Sequence, residues 1–339
     1  MYRNYIIFNN YFTNLFNLYI YIYINIKSYN MKVTIIGAGN VGSSCASLLS
    51  HKDIVTEIVL LDIKPMISKG KSLDISQMNV VCDINTRLIG FGNDFSKSEN
   101  SEIIVITCGI PRKQGMDRDE LLNINAEIIH FVTKKSIFFS PKAKFIIVSN
   151  PLDIMTYVSY VTSNIDSSSV IGMAGILDSA RYRFFLSEKL NISPYNIHTV
   201  LLGGHGDYMV PLYRYTSISG IPIKEFISEK ENEIIIEKTR KGGEEIVNYL
   251  GTSAWMAPAA SIVEMIESIL KNSKKVFSCS TLLKGEYGIK NIYLGMPVVL
   301  GKNGIERVIE LNLNNEEIDL LKMSYNSVKN TIKKLKIKI

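Results

Sequence analysis

The chain has 339 residues, 46% of them hydrophobic and 21% charged, which is the composition of a soluble globular protein of two domains or one large one. Its formal charge of +6 is mild, and no Lys/Arg run is interleaved with stacking aromatics, which argues against a nucleic-acid surface. Cys45, Cys82, Cys108 and Cys279 stand far apart without a CxxC pair, so no metal site or redox pair is expected and reduced thiols in the cytoplasm are.

Residues 1–30 are crowded with Tyr, Asn and Ile and carry only Arg3 and Lys27 as charges. Asparagines break the apolar run too often for a membrane span, which wants roughly 18 or more nearly unbroken apolar residues. The segment lacks the charged n-region and small-residue cleavage site of a secretory signal. We expect the functional protein to start at Met31, with the extension rarely or never made; an organelle-targeting segment is the alternative.

Met31 to Ile36 reads as a short buried strand, followed by Gly37-Ala38-Gly39-Asn40-Val41-Gly42 and a helical pattern through Leu49. In such a motif Gly37 allows the tight turn, Gly39 lets backbone approach a pyrophosphate, and Gly42 lets the helix pack on the sheet. The phosphate sits at the helix N-terminus, where unpaired N–H groups point at it. GxGxxG alone is weak evidence, but a second strand, Glu57 to Asp62, ends on an acid 20 residues past Gly42. There a carboxylate accepts from the adenosine ribose hydroxyls and repels a 2′-phosphate, which favours NAD over NADP. A strand-end acid capping the next turn is the competing explanation for Asp62.

Further strands are expected at Ile103 to Thr107 and Lys144 to Ser149, with helical segments around Asn123 to Lys135. The alternation predicts an α/β fold, a doubly wound parallel sheet of Rossmann type, with ligands at the carboxyl ends of its strands. Two segments begin at such ends: the 106–122 loop and Asn150-Pro151. The loop carries Arg112 and Arg118, whose planar guanidiniums suit a substrate with more than one negative group. A solvated basic turn would look the same.

The second half offers acid-base chemistry. His205 sits between glycines in Leu202-Gly-Gly-His-Gly-Asp207, where little bulk hinders exposure at a cleft, and imidazole titrates near neutral pH. An acid is needed to fix its tautomer. Asp178 opens a helical run with Arg181 three residues on, on the same face; Asp207 is nearer in sequence. The residues alone leave the choice between the two acids open.

These segments, with Gly109 to Arg118, Val148 to Leu152 and Ser253 to Ser261, closely resemble the lactate/malate dehydrogenase family, and within it the lactate-dehydrogenase-like malate dehydrogenases, over almost everything from Met31 onward. The resemblance implies an NAD-binding Rossmann domain over residues 31–173 and a mixed α+β substrate domain over 174–339, ending in strands and a long helix. It implies the interconversion of (S)-malate and oxaloacetate with NAD+/NADH, a tricarboxylic acid cycle reaction. His205 is then the proton donor and acceptor, Asp178 its orienting carboxylate, Arg118 the group that polarises the ketone, and Arg181 the clamp on the C1 carboxylate. Asn150 touches substrate and nicotinamide ribose, Asn125 and Val148 contact the cofactor with Gly37 to Gly42 and Asp62, and Ser253 borders the substrate. Arg112 stands where lactate enzymes usually have glutamine, and would pair with the distal carboxylate that pyruvate lacks. Two positions depart from the pattern: Gln114 where proline is frequent, and Cys108 where alanine is usual.

The resemblance further implies a homo-oligomer, tetramer or dimer, with helices of the first domain and Ala254 to Ile269 at the interface. Residues 253 to 268 are read as a packing helix first. The rivals are an L-lactate dehydrogenase acting on pyruvate and a catalytically silent nucleotide-binding protein. Against the latter, His205, Asp178, Arg181 and the loop arginines must converge on one cleft beside Gly37.

Overall fold

The computed structural model of the chain describes residues 31–111 and 117–337. The extension at 1–30, Arg112 and Gln114 lie outside the described residues. Six short runs rich in Ile, Val and Leu form β1 (Lys32–Ile36), β2 (Glu57–Leu61), β3 (Arg87–Phe91), β4 (Ile103–Ile106), β5 (Lys144–Ile147) and β6 (Val170–Gly172). Stiff β-branched side chains fit a pleated sheet covered on both faces, and β4 is buried at every position. The strands pair in parallel in the order 3-2-1-4-5-6. The crossovers are α1 (Asn40–Lys52), α2 (Pro65–Val81), α3 (Arg118–Phe139) and α4 (Leu152–Ser163).

The strand order reverses between β1 and β4, where an open sheet of this kind leaves a crevice for a ligand. Ile36, Ile106 and Ile147 lie side by side across β1, β4 and β5, so the glycine loop, the 107–117 loop and Asn150 leave the sheet at one level. β4 and β5 stop before the expected Thr107 and Ser149, although the Thr107 and Val148 N–H groups still donate to Ile36 and Ile106, each at 2.9 Å, and both hydroxyls bond to backbone. Thr107 Oγ1 donates towards the Ile36 and Gly37 carbonyls, each at 3.1 Å, and Ser149 Oγ donates to the Cys108 carbonyl.

The second half is α5 (Gly175–Leu190), β7 (Ile197–His198), β8 (Leu201–Gly203), β9 (Met209–Pro211), β10 (Ser217–Ile218), β11 (Ile221–Pro222), α6 (Glu229–Leu250), α7 (Met256–Leu270), β12 (Lys275–Lys284), β13 (Lys290–Gly301), β14 (Gly304–Val308) and α8 (Asn315–Ile332). The expected boundary at 173/174 does not divide the sheet. β12 pairs with β6 at Ser280 and Gly172, and β13, β8 and β9 extend the same sheet beyond it, so that among the described residues it has eleven strands. The junction depends on Gly172: a Cβ there would lie 2.6 Å from Ser280 Cβ and 2.7 Å from Thr156 Oγ1. A continuous core runs through both halves, and a smaller one around Tyr182, Leu186, Ile197 and Ile235 lies under α5 and α6.

α6 and α8 begin with reciprocal caps, Ser228 with Glu231 and Asn314 with Glu317. α7 packs its apolar face on α1 within the chain, as expected of a packing helix, with Ile262, Ile266 and Ile269 buried. Lys52 on α1 pairs with Glu264 and Glu267 on α7 at 3.2 and 2.8 Å, exposed contacts that contribute little. Among the described residues no helix is long and apolar enough to cross a membrane.

Candidate active site

The nucleotide end of the cleft is built from backbone. Gly37 takes φ +109°, and a Cβ there would fall 2.7 Å from Thr107 Oγ1. At Gly42 a Cβ would meet the Gly37 carbonyl at 1.8 Å, so the helix and the turn approach as only glycine permits. Gly39 faces open space, and α1 starts at Asn40 and Val41 with no side-chain cap, which leaves its first N–H groups for an anion. Asp62 caps the turn, as its place at the strand end suggested. Its Oδ2 accepts from the Ala38 N–H at 2.7 Å and its Oδ1 from the Lys64 N–H at 2.8 Å, which fixes the carboxylate at the mouth of the glycine loop. Each oxygen keeps a lone pair for a ribose hydroxyl. These residues fit a dinucleotide such as NAD.

Asn125 is buried at the base of the next loop. Its amide protons donate to the carbonyls of Ile110 at 3.3 Å and Asn150 at 2.9 Å, while its Oδ1 accepts from the Ile110 N–H at 2.9 Å. Its side chain thus ties the substrate loop to the Asn150 turn, a task that spacing alone did not suggest. Val148, just past the end of β5, is half-buried. The thiol of Cys108 is pushed up to about 12 by burial, with the Asp62 charge adding to the effect, and stays protonated at working pH.

At the other end His205 stands in the tight loop between β8 and β9. Its Nδ1 lies 2.8 Å from Asp178 Oδ2, and Arg181 Nη1 donates to Asp178 Oδ1 at 3.4 Å. Asp178 resides in the first turn of α5, its side chain 4% exposed, against 22% for His205. A carboxylate only accepts, so Nδ1 carries the hydrogen and Nε2 is left for proton exchange. Burial works against a charged imidazole, but the charge and hydrogen bond of Asp178, with a contribution from Asp153, hold the His205 pKa above its ordinary value, Arg181 opposing. Asp207, the other candidate partner, is exposed.

His205 lines a cavity of about 600 Å³ together with Arg118, Asn150, Asp153 and Lys334. Arg118 is the first residue of α3, exposed on the cavity wall, where Asp117 caps the helix by accepting from the Asp119 N–H at 3.3 Å. His205, Asp178, Arg181, Arg118 and Asn150 therefore converge; Asn125 and Ser149 tie the Asn150 turn to Ile110 and Cys108, and neighbouring Thr107 bonds to the glycine loop at Gly37. Ser253 does not join them: it lies exposed in the 251–255 link ahead of α7 and lines no part of this cavity.

Residues 31–172 match the NAD-binding domain of lactate/malate dehydrogenases, and residues 176–338 match their alpha/beta C-terminal domain. The chain belongs to the lactate/malate dehydrogenase family. Among members of this family, a malate dehydrogenase from Cytophaga hutchinsonii is 51% identical over 299 residues, spanning 88% of this chain and 96% of its own. The structure of malate dehydrogenase from Salinibacter ruber superposes with a TM-score of 0.86 at 42% identity, covering 90% of this chain and 97% of that one. A malate dehydrogenase from Plasmodium falciparum in complex with NADH superposes with a TM-score of 0.84 at 36% identity, over 90% and 98% of the two chains.

Several site residues of this dehydrogenase carried no legible sequence signal. Asp153 is buried under the His205 loop, and its carboxyl is raised from the usual carboxylate range by burial, against the hydrogen bonds from Ser280 and the His205 N–H. Gly243 of α6 faces Arg181: a Cβ there would lie 3.4 Å from Nη2, so the helix backbone covers the guanidinium. An acid or a glycine inside a helix looks ordinary in sequence; only the packing of α4 on β12, and of α6 on α5, gives either one meaning.

Proposed function

We propose that the protein interconverts (S)-malate and oxaloacetate with NAD+/NADH, by proton exchange at His205. The observation that carries this reading is the buried Asp178 carboxylate, held between Arg181 and the Nδ1 of His205, whose ring lines the same cavity as Arg118. NAD, when bound along Gly37 to Gly42 with its ribose at Asp62, supplies the hydride donor or acceptor. In reduction, His205 in its charged form delivers a proton to the ketone oxygen, and Asp178 stabilises that form and fixes the ring. Arg118 stabilises the charge developing on the oxygen. Arg181 keeps N–H groups beyond the one given to Asp178, enough to grip the C1 carboxylate. Asn150 orients substrate against cofactor, and closure around them excludes water.

Arg112 decides between malate and lactate in this reading. A buried guanidinium without a partner costs several kcal/mol, so pyruvate is penalised and oxaloacetate preferred. The test compares NADH oxidation with oxaloacetate and pyruvate in the wild type and in Arg112→Gln. The variant should lose oxaloacetate turnover and gain pyruvate turnover; unchanged kcat/KM for both compounds would contradict the role.

We further read the enzyme as a homo-oligomer, tetramer or dimer, of the cytoplasm and the tricarboxylic acid cycle. The four cysteines are free thiols, which suits a reducing compartment. α2 exposes Met66, Ile67, Leu73 and Val80, an apolar face that a second copy would cover. α7 spends its own apolar face inside the chain, so α2 is the stronger candidate interface. Light scattering that returned only the mass of a single chain would contradict this assembly.

A further inference from the structure

The loop that carries His205 is held from beneath at two consecutive backbone positions. The Gly204 N–H donates to Ser324 Oγ on α8 at 2.6 Å, and the His205 N–H donates to Asp153 Oδ2 on α4 at 3.0 Å. The second oxygen of Asp153 accepts from Ser280 Oγ on β12 at 2.6 Å. Asp153, Ser280 and Ser324 are all buried. The loop lies so close that a Cβ at Gly204 would fall 3.2 Å from Asp153 Oδ2 and 3.4 Å from Ser324 Oγ. Ser324 shows that a neutral hydroxyl is enough to hold one of these N–H groups. A buried carboxylate at the other is costly and needs a reason beyond the hydrogen bond.

The charges around the imidazole supply one. His205 faces Asp178 and Arg181 from α5, Asp153 from α4, Arg118 from α3, Lys334 beyond the end of α8, and Asp207 in its own loop. Lys334 is paired with Asp119 at 2.9 Å. Asp178 is shared with Arg181, which disfavours a charged imidazole, and Arg118 lines the same cavity, so one carboxylate would be left to balance a cationic surround. We propose that Asp153 is a positioning residue for His205, fixing the backbone that bears the imidazole and placing a second carboxylate beside it to offset the cationic wall. The inference rests on the reading of His205 as the proton-transfer group, and it concerns a buried residue whose two carboxylate oxygens are engaged by the His205 N–H and Ser280 Oγ.

The test is an NMR titration of the histidine imidazoles in the ligand-free full chain. His205 is assigned among His51, His130, His198 and His205 by the signal lost in His205→Gln. In Asp153→Asn, which keeps the shape and removes the charge, the His205 midpoint should move to lower pH. Ser280→Ala should move it the same way by less, because a carboxyl deprived of a donor is more readily neutralised. Ser324→Ala removes a neutral support and should leave it in place. In turnover, Asp153→Asn should lose oxaloacetate reduction roughly tenfold more at pH 9 than at pH 6, because reduction needs the protonated ring.

An unmoved midpoint in Asp153→Asn, or an equal shift in Ser324→Ala, would overturn the proposal. If Asp153→Asn does not fold, Ser280→Ala decides: an unmoved midpoint there overturns it equally. A wild type inert towards oxaloacetate whose His205 midpoint still depends on Asp153 would refute the catalytic reading and uphold the positioning role.

Discussion

Replacing Asp178 by Asn removes one charge at the centre of the site with little change of shape. The lost contact is 2.8 Å long, its carboxylate side chain is 4% exposed, and the imidazole is itself mostly covered, so water cannot take over the missing charge. A hydrogen bond to a charged group is worth about 1.5–3 kcal/mol, and the one acceptor that asparagine keeps can no longer serve both His205 and Arg181, which lies at 3.4 Å. Because the charged imidazole must form or persist during reaction, about 3 kcal/mol of this falls on the transition state, or about two orders of magnitude in kcat/KM. The sign with pH follows from the raised pKa of His205. Reduction requires the protonated ring, so the alkaline limb of its profile moves to lower pH, and oxidation, which requires the neutral ring, persists to lower pH. The assay is the initial rate of NADH consumption by oxaloacetate, and of NADH formation from malate, between pH 6 and pH 9, with melting curves to confirm folding. A kcat/KM within threefold of wild type, or a large loss with an unmoved alkaline limb, would refute the coupling of Asp178 to His205.

Asp62→Ala leaves the Ala38 and Lys64 N–H groups without their acceptor and removes the repulsion of a 2′-phosphate. NADH binding should weaken by about tenfold or more in a fluorescence titration while discrimination against NADPH narrows; undiminished discrimination would reassign Asp62 to the turn alone. In the folded protein a thiol reagent should modify Cys82, which is exposed, well before Cys45, Cys108 and Cys279, each pushed up to about 12 by burial; mass spectra with Cys108 labelled as fast as Cys82 would contradict its inertness. Stability should carry the signature of His205. A group whose folded pKa is raised contributes fully below its unfolded value, about 6.5, and loses that contribution as pH rises through the folded value. Tm should therefore fall less between pH 6 and pH 8 in His205→Gln than in the wild type, and parallel curves would argue against the raised pKa.

The parallel half of the fold was legible because local signals there agree: strand, glycine turn, helix and acid follow in order, and each glycine answers a measurable closeness at Gly37 or Gly42. The Asp178 and Arg181 pair was legible as a helix spacing, but its attachment to His205 came only from the family resemblance, since it joins α5 to a loop 27 residues later. The strands end one and two residues short of Thr107 and Ser149, whose hydroxyls bond to backbone carbonyls. Ser253 was read from its motif and stands outside the cavity, whereas Asp153, Ser280, Ser324 and Gly243 were passed over. Those four matter only through partners on other elements, a long-range property that no window of sequence contains. Arg112 lies outside the described residues, so its part in substrate choice rests on its place in the sequence.

The unbroken sheet at Gly172 and Ser280 bears on how such a chain can be recombined. Although the cofactor half and the substrate half match separate domains, a cut between them would part β6 from β12 and turn each into an open edge prone to pair with other chains, with β5 and β13 left as their remaining partners. A chimera joined near residue 174 would have to import the small residue at 172 and the serine at 280 as a pair, because one makes room for the other and Ser280 also supports Asp153. The unit of exchange in this protein is then the seam with both its margins, and a swap that respects only the domain boundary should give insoluble chains before it gives altered kinetics.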